Sequence, residues 1–182
     1  MSRRVVQEQV LIEKIRELPP DKAAEVEDFV DFLLAEARSL GVHLRLDPQS
    51  IDVEVACDMG QLRQVLLNLV LNAIQAVSGF EPGRRVVELA ARQKDGFVAL
   101  AVRDRGDGIP EDELDKVRRA FYTRRRGGTG LGLAIAERFA ESQGGHIELE
   151  NLRPFGFEAR VVLPVTPRDG KMSGHRSTTI GS

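Results

Sequence analysis

Two asparagines four residues apart, Asn68 and Asn72, interrupt an otherwise apolar helical stretch. Residues at that spacing share one helix face, and Gln75 extends the polar stripe. A carboxamide offers a carbonyl oxygen to a hard cation and an amino group to a phosphate. The same pattern also suits the solvated face of an amphipathic helix. Next comes Asp104-Arg105-Gly106-Asp107-Gly108-Ile109-Pro110, at the end of an expected strand. An aspartate there can accept a hydrogen bond from an exocyclic amine, and Gly106 and Gly108 leave room for a flat ring. A plain acidic turn has the same composition. The run Gly127-Gly128-Thr129-Gly130-Leu131-Gly132-Leu133 precedes a helix. Backbone N–H groups at such a start, with the helix dipole, attract phosphate. The run is neither a P-loop nor a clean dinucleotide fingerprint. Between the last two lies Phe121-Tyr122-Thr123-Arg124-Arg125-Arg126, where a lid would be expected. Its arginines suit a polyanion, or they form an ordinary solvated basic run. Glu111, Asp112 and Glu113 are placed to steady such a lid through ion pairs, each worth little.

These residues need elements to hold them. Asp58 followed by Gln61 has capping-box spacing and opens a helix from about Met59 to Val77. Its apolar face carries Leu62, Leu66, Leu69, Ala73 and Val77. Val87, Leu89 and Ala91, then Val98, Leu100 and Val102, alternate on two strands joined by an Asp95-Gly96 turn. Two earlier strands are read at Val42–Leu46 and Ile51–Val55, and two later ones at His146–Asn151 and Phe157–Val165. A short acidic helix follows Pro110, and another helix runs from about Leu131 to Ser142, ended by Gly144-Gly145. This order favours an α+β sandwich, a mixed and mostly antiparallel sheet covered by helices on one face.

The first forty residues read as a helical hairpin or bent arm. Leu11, Ile15 and Leu18 share one face, Pro19-Pro20 ends that helix, and Asp21 can cap the next. Val26, Phe29, Val30, Leu33, Leu34, Ala37 and Leu40 then recur at helical spacing. Such a stripe buries against the domain, a partner helix or a second copy of the chain. The expected organisation is an arm at 1–40, the main domain at 41–166 and a polar, glycine-rich disordered tail at 167–182.

Composition removes other classes. The 182 residues carry 26 basic and 28 acidic side chains, a net charge of −2, which gives no nucleic-acid footprint. Apolar runs are too short for a membrane span, and Gln7, Glu8 and Glu13 spoil a signal peptide. A cytoplasmic location is expected. The single cysteine, Cys57, excludes an internal disulfide and reads as a small apolar filler. His43, His146 and His175 are scattered and read as structural or incidental.

In order and interval, the four clusters resemble the boxes of the catalytic, ATP-binding domain of sensor histidine kinases. That domain belongs to the superfamily of gyrase, the Hsp90 chaperones, histidine kinases and MutL. The resemblance covers about residues 41–166, and the Asn72-Ala-x-Gln75-Ala continuation is similar to the nitrogen-regulation type. It implies a two-layer sandwich of the Bergerat type that binds ATP and Mg²⁺. Asn72 would hold the metal through its carbonyl oxygen, and Asn68 would contact phosphate or a metal-bound water. Asp104 would bind the adenine amine, with Gly106, Gly108 and Ile109 around the ring. Phe121, Thr123 and Arg125 would belong to the lid, with Arg125 on the terminal phosphate. Gly128, Thr129, Gly130, Leu131 and Gly132 would line the phosphate side. Hydrolytic relatives carry a glutamate four residues before the metal asparagine, where this chain has Asn68, so slow hydrolysis is implied. No histidine occurs in residues 1–40 to act as phosphoacceptor. The implied reaction is phosphoryl transfer to a histidine on another chain or domain. The alternatives are a non-catalytic, nucleotide-controlled binding module and an anti-sigma-type serine kinase on the same fold. Residues 12–33 also resemble a short helical motif of small antitoxin-like proteins, which implies oligomerisation or partner binding. A homodimer through the N-terminal helices is expected.

Overall fold

The helix that carries the asparagines forms for local reasons. The Asp58 carboxylate accepts the Gln61 backbone N–H at 2.9 Å and the Gln61 side-chain amide at 3.0 Å. This satisfies one of the unpaired N–H groups of the first turn. It also holds the Asp58 carboxyl below the ordinary carboxylate range. The helix runs over Met59–Val77, as its pattern predicts, and buries Leu62, Val65, Leu69, Val70, Ala73, Ile74 and Val77.

The computed structural model describes residues 19–47, 49, 55, 57–123 and 129–165. The expected helix over 11–18, most of the strand at 51–55, the arginines at 124–126, Gly127, Gly128 and the tail lie outside the described residues. Within them the order is α1 (Pro20–Ser39), β1 (His43–Leu46), α2 (Met59–Val77), β2 (Val86–Lys94), β3 (Phe97–Asp104), a 3₁₀ turn (Glu111–Glu113), α3 (Gly132–Ser142), β4 (His146–Asn151) and β5 (Phe157–Pro164). The acidic segment after Pro110 is therefore a single 3₁₀ turn.

The sheet has the order β1-β2-β3-β5-β4. Only β1 and β2 run parallel, and the other pairs are antiparallel. Asp95 (φ 51°) and Gly96 (φ 80°) make the left-handed turn between β2 and β3, as a two-residue hairpin requires. The alternating pattern sends Val87, Val102, Ala159, Val161, Leu163 and Ile147 into one core with α2. That core also takes Ala136, Phe139 and Ala140 of α3. The helix α3 ends in a Schellman arrangement. The Gly144 amide donates to the Glu141 carbonyl at 3.0 Å, and the Gly145 amide to the Ala140 carbonyl at 2.8 Å.

The other sheet face carries charge. Arg103 pairs with Asp47 (3.3 Å), Glu88 (3.2 Å) and Glu158, while Arg160 pairs with Glu148 (3.0 Å), Glu158 (2.6 Å) and Glu150. Glu158 and Asp47 are buried in this ladder. The Gln49 amide at 2.8 Å, then Arg92 and Arg103, hold the Asp47 carboxyl below its ordinary range in spite of burial.

The helix α1 begins at Pro20, with no side-chain cap, and Asp21 sits in its first turn. This corrects the expected Asp21 cap, because proline fits the first helical position. Its stripe packs onto its own domain. Leu33 and Ala37 are buried in the core, with Phe29 and Leu40 beside them. Arg63 of α2 reaches Glu25 of α1 at 2.5 Å. Val30 of the stripe and Phe32 beside it stay exposed at 43% and 51%. No helix among the described residues is long and apolar enough to cross a membrane.

Candidate functional site

The polar stripe of α2 faces the start of α3. A Cβ added at Gly132 would lie 3.4 Å from the Asn68 Cβ and 3.4 Å from the Asn72 Nδ2. The N-terminal end of α3 thus abuts both carboxamides. The Asn68 Oδ1 accepts from the Gln64 side-chain amide at 3.3 Å. Its Nδ2 is buried and has no hydrogen-bond partner among the described residues. A buried donor left without a partner costs free energy, which marks a place where an acceptor belongs.

At the far end stands Asp104, the last residue of β3, only 7% exposed. Its Oδ1 accepts the Gly106 backbone N–H at 2.8 Å and closes the first turn of the loop. One cavity of about 750 Å³ connects the two ends. Its wall includes Leu69, Ala73, Val102, Phe157 and Ala159. The arrangement is a buried carboxylate over an apolar surface at one end, with carboxamides and a helix N-terminus at the other. A flat ring bearing an amine suits the first end. A hard cation and an anion suit the second.

Of the residues singled out in the sequence, Asn68, Asn72, Gln75, Asp104, Gly108, Ile109, Thr123, Thr129, Gly130, Leu131 and Gly132 all lie on this wall. Arg125 and Gly128 lie outside the described residues. Gly106 sits behind the wall, and the reason for its lack of a side chain is internal. A Cβ there would come within 2.9 Å of the Asp104 Oδ1. Gly108 (φ 75°) is on the wall, yet its Cβ would fall onto the Asn151 Oδ1. Both glycines answer to the protein's own packing.

Phe121, expected in the lid, faces solvent. It is 77% exposed, has φ 67° and is off the wall. Its amide donates to the Gly130 carbonyl at 2.9 Å, and a Cβ on Gly130 would meet the Phe121 carbonyl carbon at 2.6 Å. Tyr122 takes the place on the wall.

Gln64, Phe80, Asp107 and Val117 line the cavity without having been singled out. Gln64 had a readable signal, since it lies one helical turn before Asn68 on the same face. His43 and His146 are exposed strand residues off the wall, and His146 contacts Glu148 at 3.3 Å. Cys57 is half-buried against the core, and burial pushes its thiol pKa up.

Known proteins share the sequence pattern and the fold. The family profile described as histidine kinase-, DNA gyrase B-, and HSP90-like ATPase matches residues 57–167. The chain is 35% identical over 130 residues to the sensor histidine kinase ZraS of Escherichia coli (strain K12), covering 71% of this chain and 27% of that protein. The chain thus spans about a quarter of that relative's length. Its structure superposes on the nucleotide-free catalytic domain of the histidine kinase ThkA with a TM-score of 0.66 and 27% identity, covering 77% of this chain and 90% of that one. Full-length ShkA, solved in complex with AMPPNP, gives 0.66 and 28%, covering 81% and 31%. With a matching profile over most of its length and histidine kinases among its relatives, the chain belongs to the histidine kinase-, DNA gyrase B-, and HSP90-like ATPase family.

Proposed function

We propose that this chain is the ATP- and Mg²⁺-binding catalytic domain of a histidine kinase, and that it directs the γ-phosphoryl group of ATP to a histidine on another chain or domain. The observation that carries this reading is one shared cavity. It holds a buried Asp104 at one end and Asn68, Asn72 and the start of α3 at the other. An ATP analogue bound to ShkA, a relative of the same fold, supports the choice of nucleotide.

The residues present fit such a ligand. The Asn68 Nδ2, without a partner among the described residues, is a donor suited to a phosphate or water oxygen. Asn72 supplies a carbonyl oxygen suited to Mg²⁺. When bound, the metal would neutralise charge on the β- and γ-phosphates. Asp104 accepts from the adenine amine, and Phe157 and Ala159 offer the ring an apolar surface. Thr129, Gly130 and Gly132 bring backbone amides and a hydroxyl to the phosphate end. Arg125, and Gly128 beside it, are assigned to the terminal phosphate by their resemblance to the family's lid and glycine boxes. Catalysis here is positioning and charge stabilisation. Asn68 stands where hydrolytic relatives have a glutamate, and a carboxamide cannot take a proton from water. Transfer to a protein acceptor is therefore favoured over hydrolysis.

The test is incubation with γ-labelled ATP and Mg²⁺, with and without a histidine-bearing dimerisation domain, scoring acid-labile phosphate. Label on the added domain supports the kinase. Nucleotide binding without label on any acceptor supports a binding module instead. We further propose that the N-terminal arm mediates a homodimer, with the exposed Val30 and Phe32 of α1 as its contact.

A further inference from the structure

The loop that follows Asp104 is held from outside the cavity, and the way it is held assigns a role to a residue far away in sequence. Asn151 is the last residue of β4 and pairs with Phe157 of β5. Phe157 pairs in turn with Asp104 of β3. Asp104, Phe157 and Asn151 therefore form one row across three strands. With strands about 4.8 Å apart, the ends of the row are about 10 Å from each other. The loop leaves the sheet at Asp104 and is pinned at the far end of the row. There the Ile109 amide donates to the Asn151 Oδ1 at 2.8 Å, and the Asn151 Nδ2 donates to the Ile109 carbonyl at 2.6 Å. Both backbone groups of Ile109 are thus fixed by one carboxamide. The tightness of this approach requires the glycine at 108, whose Cβ would otherwise collide with the Asn151 Oδ1.

A second restraint acts nearer Asp104. The Arg84 Nε donates to the Arg105 carbonyl at 2.8 Å, and its Nη2 reaches the Asp107 carboxylate at 3.0 Å. Its guanidinium sits 3.9 Å from the Phe80 ring centroid and 4.5 Å from that of Phe155. The Gly156 backbone closes against the Asp104 carbonyl, where a Cβ would collide. Arg84 holds the first half of the loop, and Asn151 hydrogen-bonds the second half, which includes Gly108 and Ile109 on the cavity wall.

We infer that Asn151 is a positioning residue for base recognition: by clamping Ile109 it fixes the loop against which a purine lies and so makes the Asp104 carboxylate discriminate adenine from hypoxanthine. The inference rests on the nucleotide reading above. Hypoxanthine places a carbonyl oxygen where adenine has its amine, and a fixed carboxylate rejects that oxygen. A loop free to move lets the ring shift away from Asp104, and the two bases become nearly equal.

The test measures ADP and IDP binding to the full chain at saturating Mg²⁺ by calorimetry. The unaltered protein should prefer ADP by about 10- to 150-fold, the worth of a hydrogen bond to a charged group. In Asn151→Ala the preference should fall to within about threefold. A purely structural role would weaken ADP and IDP by the same factor, and an unchanged ratio overturns the inference. Asn151→Asp keeps the acceptor for the Ile109 amide and serves if the alanine variant does not fold. A lowered ratio in it supports the inference, and an intact ratio overturns it. An unaltered protein that binds neither nucleotide removes the nucleotide reading itself, and this inference with it. Binding without preference removes the Asp104 assignment and the inference together.

Discussion

Replacing Asp104 by asparagine isolates what its charge does. The side chain keeps its size, and its carbonyl oxygen can still accept the Gly106 N–H now held at 2.8 Å. The loop therefore keeps its first turn. The other oxygen becomes an amino group, a donor facing the adenine amine, which is also a donor. A hydrogen bond to a charged group contributes about 1.5–3 kcal/mol. At about 1.4 kcal/mol per factor of ten, losing it weakens binding about 10- to 150-fold. Asp104 is only 7% exposed, so little water is available to replace the lost partner. The assay is calorimetric titration of Asp104→Asn with ADP and Mg²⁺, with a thermal melt of the same sample. The expected result is a fold that melts near the unaltered protein and an affinity lower by at least tenfold. A folded Asp104→Asn protein that binds ADP within twofold of the unaltered one would refute the reasoning, because the carboxylate would then not read the amine.

Other parts of the account have their own tests. Gly132→Ala puts a Cβ 3.4 Å from the Asn72 Nδ2 and 3.6 Å from the Asn68 Cγ, and alanine gains up to about 1 kcal/mol of helix propensity. The variant should melt slightly higher yet bind nucleotide several-fold more weakly, as a paired melt and titration would register. Asp47 has a folded pKa below its unfolded value. Its contribution to stability is therefore present above the unfolded value of about 3.9 and lost as pH falls through the folded one. The thermal midpoint should drop below about pH 4, and Asp47→Asn should flatten that drop while lowering the plateau. Phe32→Glu should leave the fold and nucleotide binding intact, because the ring is half exposed. If the arm pairs two chains, sedimentation should then shift toward monomer.

What the sequence made legible follows the range of the interactions involved. The ends of α2 were readable because its cap and apolar period are local, and the β2–β3 turn because Asp-Gly specifies its own geometry. The row of boxes named many of the residues that line the cavity, since each box is contiguous. What stayed hidden depends on distant partners. Asn151 clamps Ile109 across 42 positions, and Arg84 reaches Arg105 across 21. No period in either segment points to the other. The glycines at 106 and 108 were recognisable as necessary, but the atoms that require them appear only once Asn151 and the Asp104 side chain are in place. The sheet order was equally hidden, because alternation assigns faces and not neighbours. The charged ladder on the outer face follows from that order, since Arg103 meets Glu158 only when β5 lies beside β3.

The central claim is that one cavity accepts an adenine nucleotide with its base at Asp104 and its phosphates at Asn68 and Asn72. The most direct measurement is a titration of the ¹⁵N-labelled chain with ADP and Mg²⁺, followed by NMR. The account predicts that the largest shifts fall on the amides of Gly106, Gly108, Ile109 and Gly132 and on the side-chain amides of Asn68 and Asn72. Spectra that stay unchanged at millimolar nucleotide, or shifts confined to residues away from this cavity, would contradict it.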